Sequence, residues 1–131
     1  MILGVGVDII EPERIERAMD NVRFMERVYT ESERERIAQA GRSGAQRAAG
    51  IFAGKEAAVK ALGCGFNGVG MRDVEILSDE AGRPHLAMHG GAERMMRALG
   101  AAHVHISISH IERAAVAFVV LEGDADAHSD A

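Results

Sequence analysis

Two lysines and a glutamate stand in the apolar run between Phe52 and Gly65: Lys55, Glu56 and Lys60. At helical period, Ala48, Ile51, Phe52, Val59 and Leu62 fall on one arc. Lys55 projects into the middle of that arc, and Glu56 and Lys60 lie at its edge, one turn apart. As a plain surface pair, Glu56 and Lys60 are spaced i,i+4 in the favourable order and contribute roughly 0.2–0.5 kcal/mol. Lys55 could then lay its stem on the apolar stripe and keep its ammonium in water. The chemical alternative is a site where an anion meets a divalent metal. A second carboxylate, Asp8, ends an apolar stretch that carries Gly4 and Gly6. At the end of a buried strand it needs an ion pair, hydrogen bonds or a metal, unless it caps the helix that follows. Asp8 and Glu56 together would make the hard, oxygen-only pair that Mg²⁺ favours, completed by waters and substrate phosphates.

Gly63, Gly65 and Gly68 spell G-x-G-x-x-G, but a dinucleotide fingerprint must follow a strand and open a helix. These glycines close a helix, where the dipole is negative and repels phosphate. Gly63 is read instead as the C-cap, and any phosphate nearby must be met by Lys60 or a metal. Residues 103–109 alternate strictly, with His103, His105, Ser107 and Ser109 on one face and Val104, Ile106 and Ile108 on the other. That polar face is either solvated or, for the histidines, a zinc site lacking a third ligand. His110 ends the strand, where a side chain can reach a ligand.

The elements that position these residues follow from local signals. Residues 2–8 read as a buried strand. Pro12 suits the first turn of a helix to about residue 19. Thr30 with Glu33 makes a capping box for a helix through about residue 39. Residues 41–44 break it, and Ser43 is placed to cap the long helix that ends at Leu62. Residues 67–70 read as a loop, 73–77 and 84–88 as a hairpin, 92–99 as a short helix, and 103–109 and 114–121 as the last two strands. The pattern predicts one small α+β domain, a mainly antiparallel sheet with one long helix packed on it. The chain has 131 residues, no Trp, one Cys and a net charge of −5, which argues against a nucleic-acid partner. Residues 123–131 hold three Asp and no base, so the rest carries 15 basic and 17 acidic residues, net −2. The domain is expected over 1–122, followed by an acidic, disordered tail. A lone Cys64 gives no disulfide framework and suits a reducing cytoplasm, and the apolar start meets Asp8 too soon to be a signal peptide or membrane span.

In order along the chain come Gly6-Val7-Asp8-Ile9-Ile10-Glu11, Phe52-Ala53-Gly54-Lys55-Glu56-Ala57, Lys60-Ala61-Leu62-Gly63-Cys64-Gly65, Asp73-Val74-Glu75-Ile76, Gly82-Arg83-Pro84 and His105-Ile106-Ser107-Ile108-Ser109-His110. With these motifs residues 1–122 closely resemble the holo-acyl-carrier-protein synthases, the short form of the 4′-phosphopantetheinyl transferases. The resemblance implies that family's fold and a Mg²⁺-dependent transfer of phosphopantetheine. The donor is coenzyme A, the acceptor a serine hydroxyl of apo-acyl-carrier protein, and adenosine 3′,5′-bisphosphate is released; the role is in fatty-acid and lipid biosynthesis.

By the same resemblance, Asp8 and Glu56 hold Mg²⁺ against the pyrophosphate and Lys60 neutralises phosphate charge. His110 hydrogen-bonds a phosphate. Gly63 and Gly65 let backbone approach coenzyme A, and Gly82 and Pro84 wall the nucleotide pocket. Either Glu56 or a metal-bound water takes the serine proton. Arg14 docks the acidic carrier, with Arg17 and Arg23 nearby and Glu13 and Glu16 diluting the patch. Many relatives carry Arg where this chain has Ile51, and Arg47, one turn earlier, is the candidate replacement. The short form is a homotrimer with sites at subunit interfaces, Asp8, Glu56 and Lys60 of one subunit facing His110 of its neighbour. The rival reading is a non-catalytic oligomeric module that binds coenzyme A or a nucleotide. It would keep the glycines and bases but would not need both Asp8 and Glu56.

Overall fold

Nineteen residues of helix, Gly44–Leu62, run across one face of a three-stranded sheet. The computed structural model describes residues 1–124. In chain order they form β1 (Ile2–Ile10), α1 (Pro12–Ala18), α2 (Val22–Val28), α3 (Glu31–Gln39), a 3₁₀ turn (Gly41–Ser43), α4 (Gly44–Leu62), a second 3₁₀ turn (Met71–Asp73), β2 (Val74–Ser78), β3 (Pro84–Met88), α5 (Gly90–Leu99), β4 (Ala101–Ile111) and β5 (Ala114–Gly123). The main sheet has the order β1-β5-β4, and β2 and β3 form a separate hairpin; every pairing is antiparallel. This is the expected α+β architecture. No helix among the described residues is long and apolar enough to cross a membrane.

Side-chain alternation sets the layers. Along β5, Ala115, Ala117, Val119 and Leu121 face inward and are buried, whereas Phe118 faces out. Ala53, Ala57, Ala58, Val59, Ala61 and Leu62 of α4 pack in the same core cluster as Ala117, Val119 and Leu121. A second cluster joins Ala48, Ala49 and Ile51 to Ile15, Val28, Tyr29 and Ile37 of the N-terminal helices. α4 is therefore buried on most sides, and its polar residues have few exits.

The close approach of β1 to α4 depends on two glycines of one strand face. A Cβ on Gly4 would lie 2.1 Å from the Ala61 carbonyl oxygen, and one on Gly6 would lie 1.9 Å from the Ala57 carbonyl oxygen. Strand positions two apart thus meet helix positions four apart. Asp8, next on that face, is carried against the same helix.

Several expectations change. α2 was not anticipated; Asn21 caps it, its side chain accepting from the N–H groups of Arg23 and Phe24. β1 continues past Asp8 to Ile10, and α1 has Glu11 at its N-cap position, so Asp8 does not cap that helix. Ser43 occupies the N-cap position of α4 without a side-chain cap bond. β5 includes Gly123, whose N–H donates to the Met1 carbonyl, so the sheet takes in the first residue assigned to the tail. The stretch 125–131 of that tail lies outside the described residues. The Thr30–Glu33 capping box and the left-handed Gly63 cap (φ 77°) are as expected.

Candidate active site

Asp8 and Glu56 are brought to one cavity of about 370 Å³ by the β1–α4 contact. Arg14 of α1 and the rings of Phe24 and Phe52 also line it. Lys60 reaches from α4 to the strand: its Nζ lies 3.2 Å from Asp8 Oδ1 and donates to the Val7 carbonyl at 3.0 Å. The lysine side chain remains 54% exposed, against 17% for Asp8, so its charge can turn to a ligand at small cost. Burial raises the pKa of Glu56 above the ordinary carboxylate value, and the negative charge of Asp8 adds to the shift while Lys60 opposes it. The two carboxylates therefore sense each other through space. Gly63 and Gly65, both at positive φ, follow Lys60 and leave exposed backbone at the helix exit.

Gly82, Pro84 and His110 gather elsewhere, around a cavity of about 280 Å³. The hairpin turn carries Gly82, fixed by Asp79, whose Oδ1 accepts from the N–H groups of Ala81 and Arg83. His110 comes from the end of β4, and Arg36, Arg47 and Ile51 complete much of the wall. The expected site residues thus form two groups on one chain. Asp8, Glu56 and Arg14 line one cavity, and Gly82, Pro84 and His110 line another.

Lys55 belongs to neither. It is fully buried, and its Nζ lies 2.8 Å from Glu33 Oε1 and donates to the carbonyls of Met71 (2.9 Å) and Val74 (2.6 Å). Glu33 also accepts from the N–H groups of Thr30 (2.8 Å) and Ile76 (2.7 Å). Every charged atom of the pair has a partner, so it is an internal tie between α3, α4 and β2; Lys55 does not snorkel, and the anion it meets is the Glu33 carboxylate. Lys55 is thus explained without a ligand.

The histidines of the polar strand face pair with carboxylates on β5 and just beyond its end. His105 Nε2 lies 3.0 Å from Glu122 Oε1, and His103 Nε2 lies 3.1 Å from Asp124 Oδ1. No group of three His, Cys, Asp or Glu side chains among the described residues could hold a metal ion. A metal at Asp8 and Glu56 would need its remaining ligands from water and substrate.

Arg36 is the residue that spacing did not single out. Its Nη2 donates to the Ile76 carbonyl, while its Nε is buried with no protein partner. Burial chiefly, with the positive charge of Arg47, lowers its guanidinium pKa against the pull of Glu33 and Glu75.

Residues 4–119 match the model of the 4′-phosphopantetheinyl transferase superfamily. A holo-[acyl-carrier-protein] synthase of Solidesulfovibrio magneticus is 49% identical over 126 residues, covering 94% of this chain and all of the relative. The crystal structure of the Bacillus anthracis synthase in complex with CoA (3′,5′-ADP) superposes with a TM-score of 0.80 at 41% identity, covering 95% of this chain and 99% of that one. The Helicobacter pylori synthase in complex with coenzyme A gives 0.76 at 28% identity, covering 90% and 99%.

Proposed function

Because the chain belongs to the 4′-phosphopantetheinyl transferase superfamily, we propose that it is a transferase moving the 4′-phosphopantetheine arm of coenzyme A to a serine of an apo-acyl-carrier protein. The observation that carries the site assignment is the meeting of Asp8 and Glu56 beside Lys60, enforced by the glycine contact of β1 with α4.

The donor set fits Mg²⁺. Asp8 and Glu56 offer carboxylate oxygens, and the burial and mutual repulsion that raise the pKa of Glu56 are what a divalent cation would offset. Held by those two residues, Mg²⁺ would supply the positive charge that draws and neutralises the pyrophosphate of coenzyme A. Phosphoryl transfer needs alignment and charge neutralisation more than covalent help. Lys60 swings its ammonium from Asp8 to the phosphate oxygens. The serine Oγ attacks the phosphorus that bears the pantetheine arm. The bond from that phosphorus to the bridging oxygen breaks, and adenosine 3′,5′-bisphosphate leaves. Glu56, or a water held by the metal, would accept the serine proton. Gly63 and Gly65 offer backbone to the donor, while Gly82, Pro84 and His110 receive its nucleotide end.

Arg14, exposed beside the carboxylate cavity, is the docking charge for an acidic carrier. Arg17 is already engaged by Glu13 at 3.5 Å. The separation of the two residue groups and the outer sheet face support self-association, which we take to be a homotrimer. Val5, Val7, Ile9 and Phe118 are each 48–69% exposed there, an apolar surface suited to burial between copies. In that assembly Asp8, Glu56 and Lys60 of one subunit face His110 of the next. The acceptor is an acyl-carrier protein, and the reaction runs in the cytoplasm, where Cys64 stays reduced.

Incubation with coenzyme A, Mg²⁺ and apo-carrier, followed by intact mass of the carrier, tests the reaction. The expected result is Mg²⁺-dependent addition of phosphopantetheine. Binding of coenzyme A with no transfer would leave the non-catalytic module. Asp8→Ala and His110→Ala chains, each nearly inactive, should regain partial activity when co-refolded, and light scattering should give a trimeric mass. A fully active monomer, or no rescue in verified mixed trimers, overturns the shared site.

A further inference from the structure

We infer that Glu33 is a positioning residue for the transfer: acting through Lys55, it fixes the rotation of α4 about its axis and so sets Glu56 against Asp8. The inference rests on Asp8 and Glu56 being the metal pair of the proposed reaction, and it adds the group that holds them in line.

Between Phe52 and Val59 the helix reads Ala-Gly-Lys-Glu-Ala-Ala. Ala53, Gly54, Ala57 and Ala58 are buried and too small to interlock with a neighbouring element as ridges with grooves. The long side chains of the interval are Lys55 and Glu56, so Lys55 alone keys the middle of the helix to the interior. An ammonium has three N–H donors, and each is spent on a different element. Glu33 Oε1 of α3 lies at 2.8 Å, the Met71 carbonyl of the second 3₁₀ turn at 2.9 Å and the Val74 carbonyl of β2 at 2.6 Å. Three directional bonds to three elements fix the ammonium in space. Of the three acceptors only Glu33 carries a charge, and it is itself held. Its Oε1 also accepts from the Thr30 N–H and its Oε2 from the Ile76 N–H. Ile76 closes the circuit, because its Cδ1 lies 2.7 Å from the place a Cβ on Gly54 would take.

Stability alone does not call for this arrangement. Replacing a buried ion pair by well-packed apolar residues often leaves a protein as stable or more so, whereas a buried pair can specify a register. Glu56 is the adjacent residue, so an error in rotation at Lys55 passes to it undiminished. Its carboxylate lies about 6 Å from the helix axis, where a turn of about 10° moves it by about 1 Å. A displacement of that size costs on the order of 100-fold in a positioned reaction.

Lys55→Met with Glu33→Gln in one chain removes both charges and keeps the volume. Calorimetric titration with Mg²⁺, in the presence of coenzyme A and the absence of carrier, should show an affinity at least about 10-fold below wild type in this double variant. At a temperature where circular dichroism shows the variant folded, kcat should fall at least about 10-fold, with KM for apo-carrier within about 3-fold of normal. A pair that only stabilises the fold would lower the melting temperature and leave the Mg²⁺ affinity and kcat of the folded chain unchanged; that result overturns the inference. Reciprocity supplies a test in the wild type, whether or not the variant folds, since a pair that favours the metal is favoured by it. Under the same conditions Mg²⁺ should slow the exchange of the Lys55 ammonium protons with water, followed by nitrogen-edited NMR, and Glu56→Gln should abolish the effect. Exchange unchanged by saturating Mg²⁺ is the opposing result. A wild type that neither binds Mg²⁺ nor transfers phosphopantetheine sinks the transferase reading and this inference with it. Transfer equally intact in the wild type and the double variant sinks this inference alone.

Discussion

Replacing Gly6 with alanine tests whether the β1–α4 contact makes the proposed active site. The new Cβ would lie 1.9 Å from the Ala57 carbonyl oxygen, 2.8 Å from the Ala61 nitrogen and 2.9 Å from the Ala57 carbonyl carbon. The obstruction is the backbone of a buried helix, and alanine has no rotamer with which to avoid it. Ordinary contact begins at 3.4 Å, so strand and helix must part by about 1.5 Å. Overpacking of this kind costs roughly 1–3 kcal/mol, a fall in melting temperature of about 4–12 °C. The catalytic loss should be larger in proportion, because Asp8 lies two residues along the same strand face. A displacement of about 1 Å in a positioned group costs on the order of 100-fold. Transfer to apo-carrier, followed by mass at saturating Mg²⁺, should therefore fall about 100-fold in kcat/KM in a protein still folded by circular dichroism at 20 °C. Gly4→Ala, whose Cβ would lie 2.1 Å from the Ala61 carbonyl oxygen, should cost similar stability but less activity, being farther along the strand from Asp8. A Gly6→Ala protein with a wild-type melting temperature and kcat/KM within about 3-fold of normal would refute the reasoning.

Three further outcomes follow from charged groups. Glu56 has a raised folded pKa, so between its unfolded value of about 4.3 and that higher value the folded state binds more protons and stability falls as pH rises. Metal-free Glu56→Gln should thus melt higher than wild type at pH 7 while losing transfer, and Mg²⁺ should raise the melting temperature of the wild type alone; a variant that melts lower or responds equally to Mg²⁺ contradicts this. Lys55→Met strands the buried Glu33 carboxylate, with an expected loss of about 3–5 kcal/mol in urea denaturation, partly recovered by adding Glu33→Gln; an unchanged midpoint counts against the buried pair. Burial opposes ionisation of Glu75, but hydrogen bonds from Thr30 and His89, with the charges of His89 and Lys55, hold its pKa below the ordinary value. Its contribution should be complete above about pH 4.3 and vanish as pH falls through the folded pKa, so a wild-type advantage over Glu75→Gln that persists unchanged at pH 2 is the contrary result.

What was legible in the sequence was what local chemistry determines. The capping box at Thr30, the Gly63 cap, the alternation of β4 and the turn before Pro84 each depend on neighbours a few residues away. The pairing of Asp8 with α4 was legible only as a candidate carboxylate pair with Glu56; glycine at strand positions 4 and 6 was a usable signal of close backbone approach, but the partner lay some fifty residues on. α2 was missed because it is seven residues long and follows α1 almost at once, although Asn21 before Val22 and Phe24 was a usable cap signal. Lys55 misled because a buried ammonium amid alanines looks like a ligand group until its counter-ion is known. That counter-ion, Glu33, had been accounted for by its capping role, and nothing in a capping box says that the same carboxylate also serves a lysine and the N–H of Ile76. Arg36 was invisible for a related reason. Its unspent Nε–H is a property of packing, and packing between α3 and the hairpin leaves no periodic trace.

Lys55 and Glu56 are consecutive, yet one is sealed inside against Glu33 and the other stands beside Asp8. Neighbouring helical residues point about 100° apart, so α4 is indexed at both ends. Ala48, which receives the Tyr29 hydroxyl at 2.8 Å, fixes its upstream half, and Lys60 on Asp8 fixes its downstream half. One residue inserted or deleted between them would rotate one half against the other and leave either the internal ion pair or the Asp8–Glu56 pair misaligned. Changes of chain length must then fall outside this interval, as at the turn Gly41–Ser43, where a Cβ on Gly41 would meet nothing within 4 Å. The stretch from Ala48 to Lys60 behaves as a ruler whose divisions cannot be recounted.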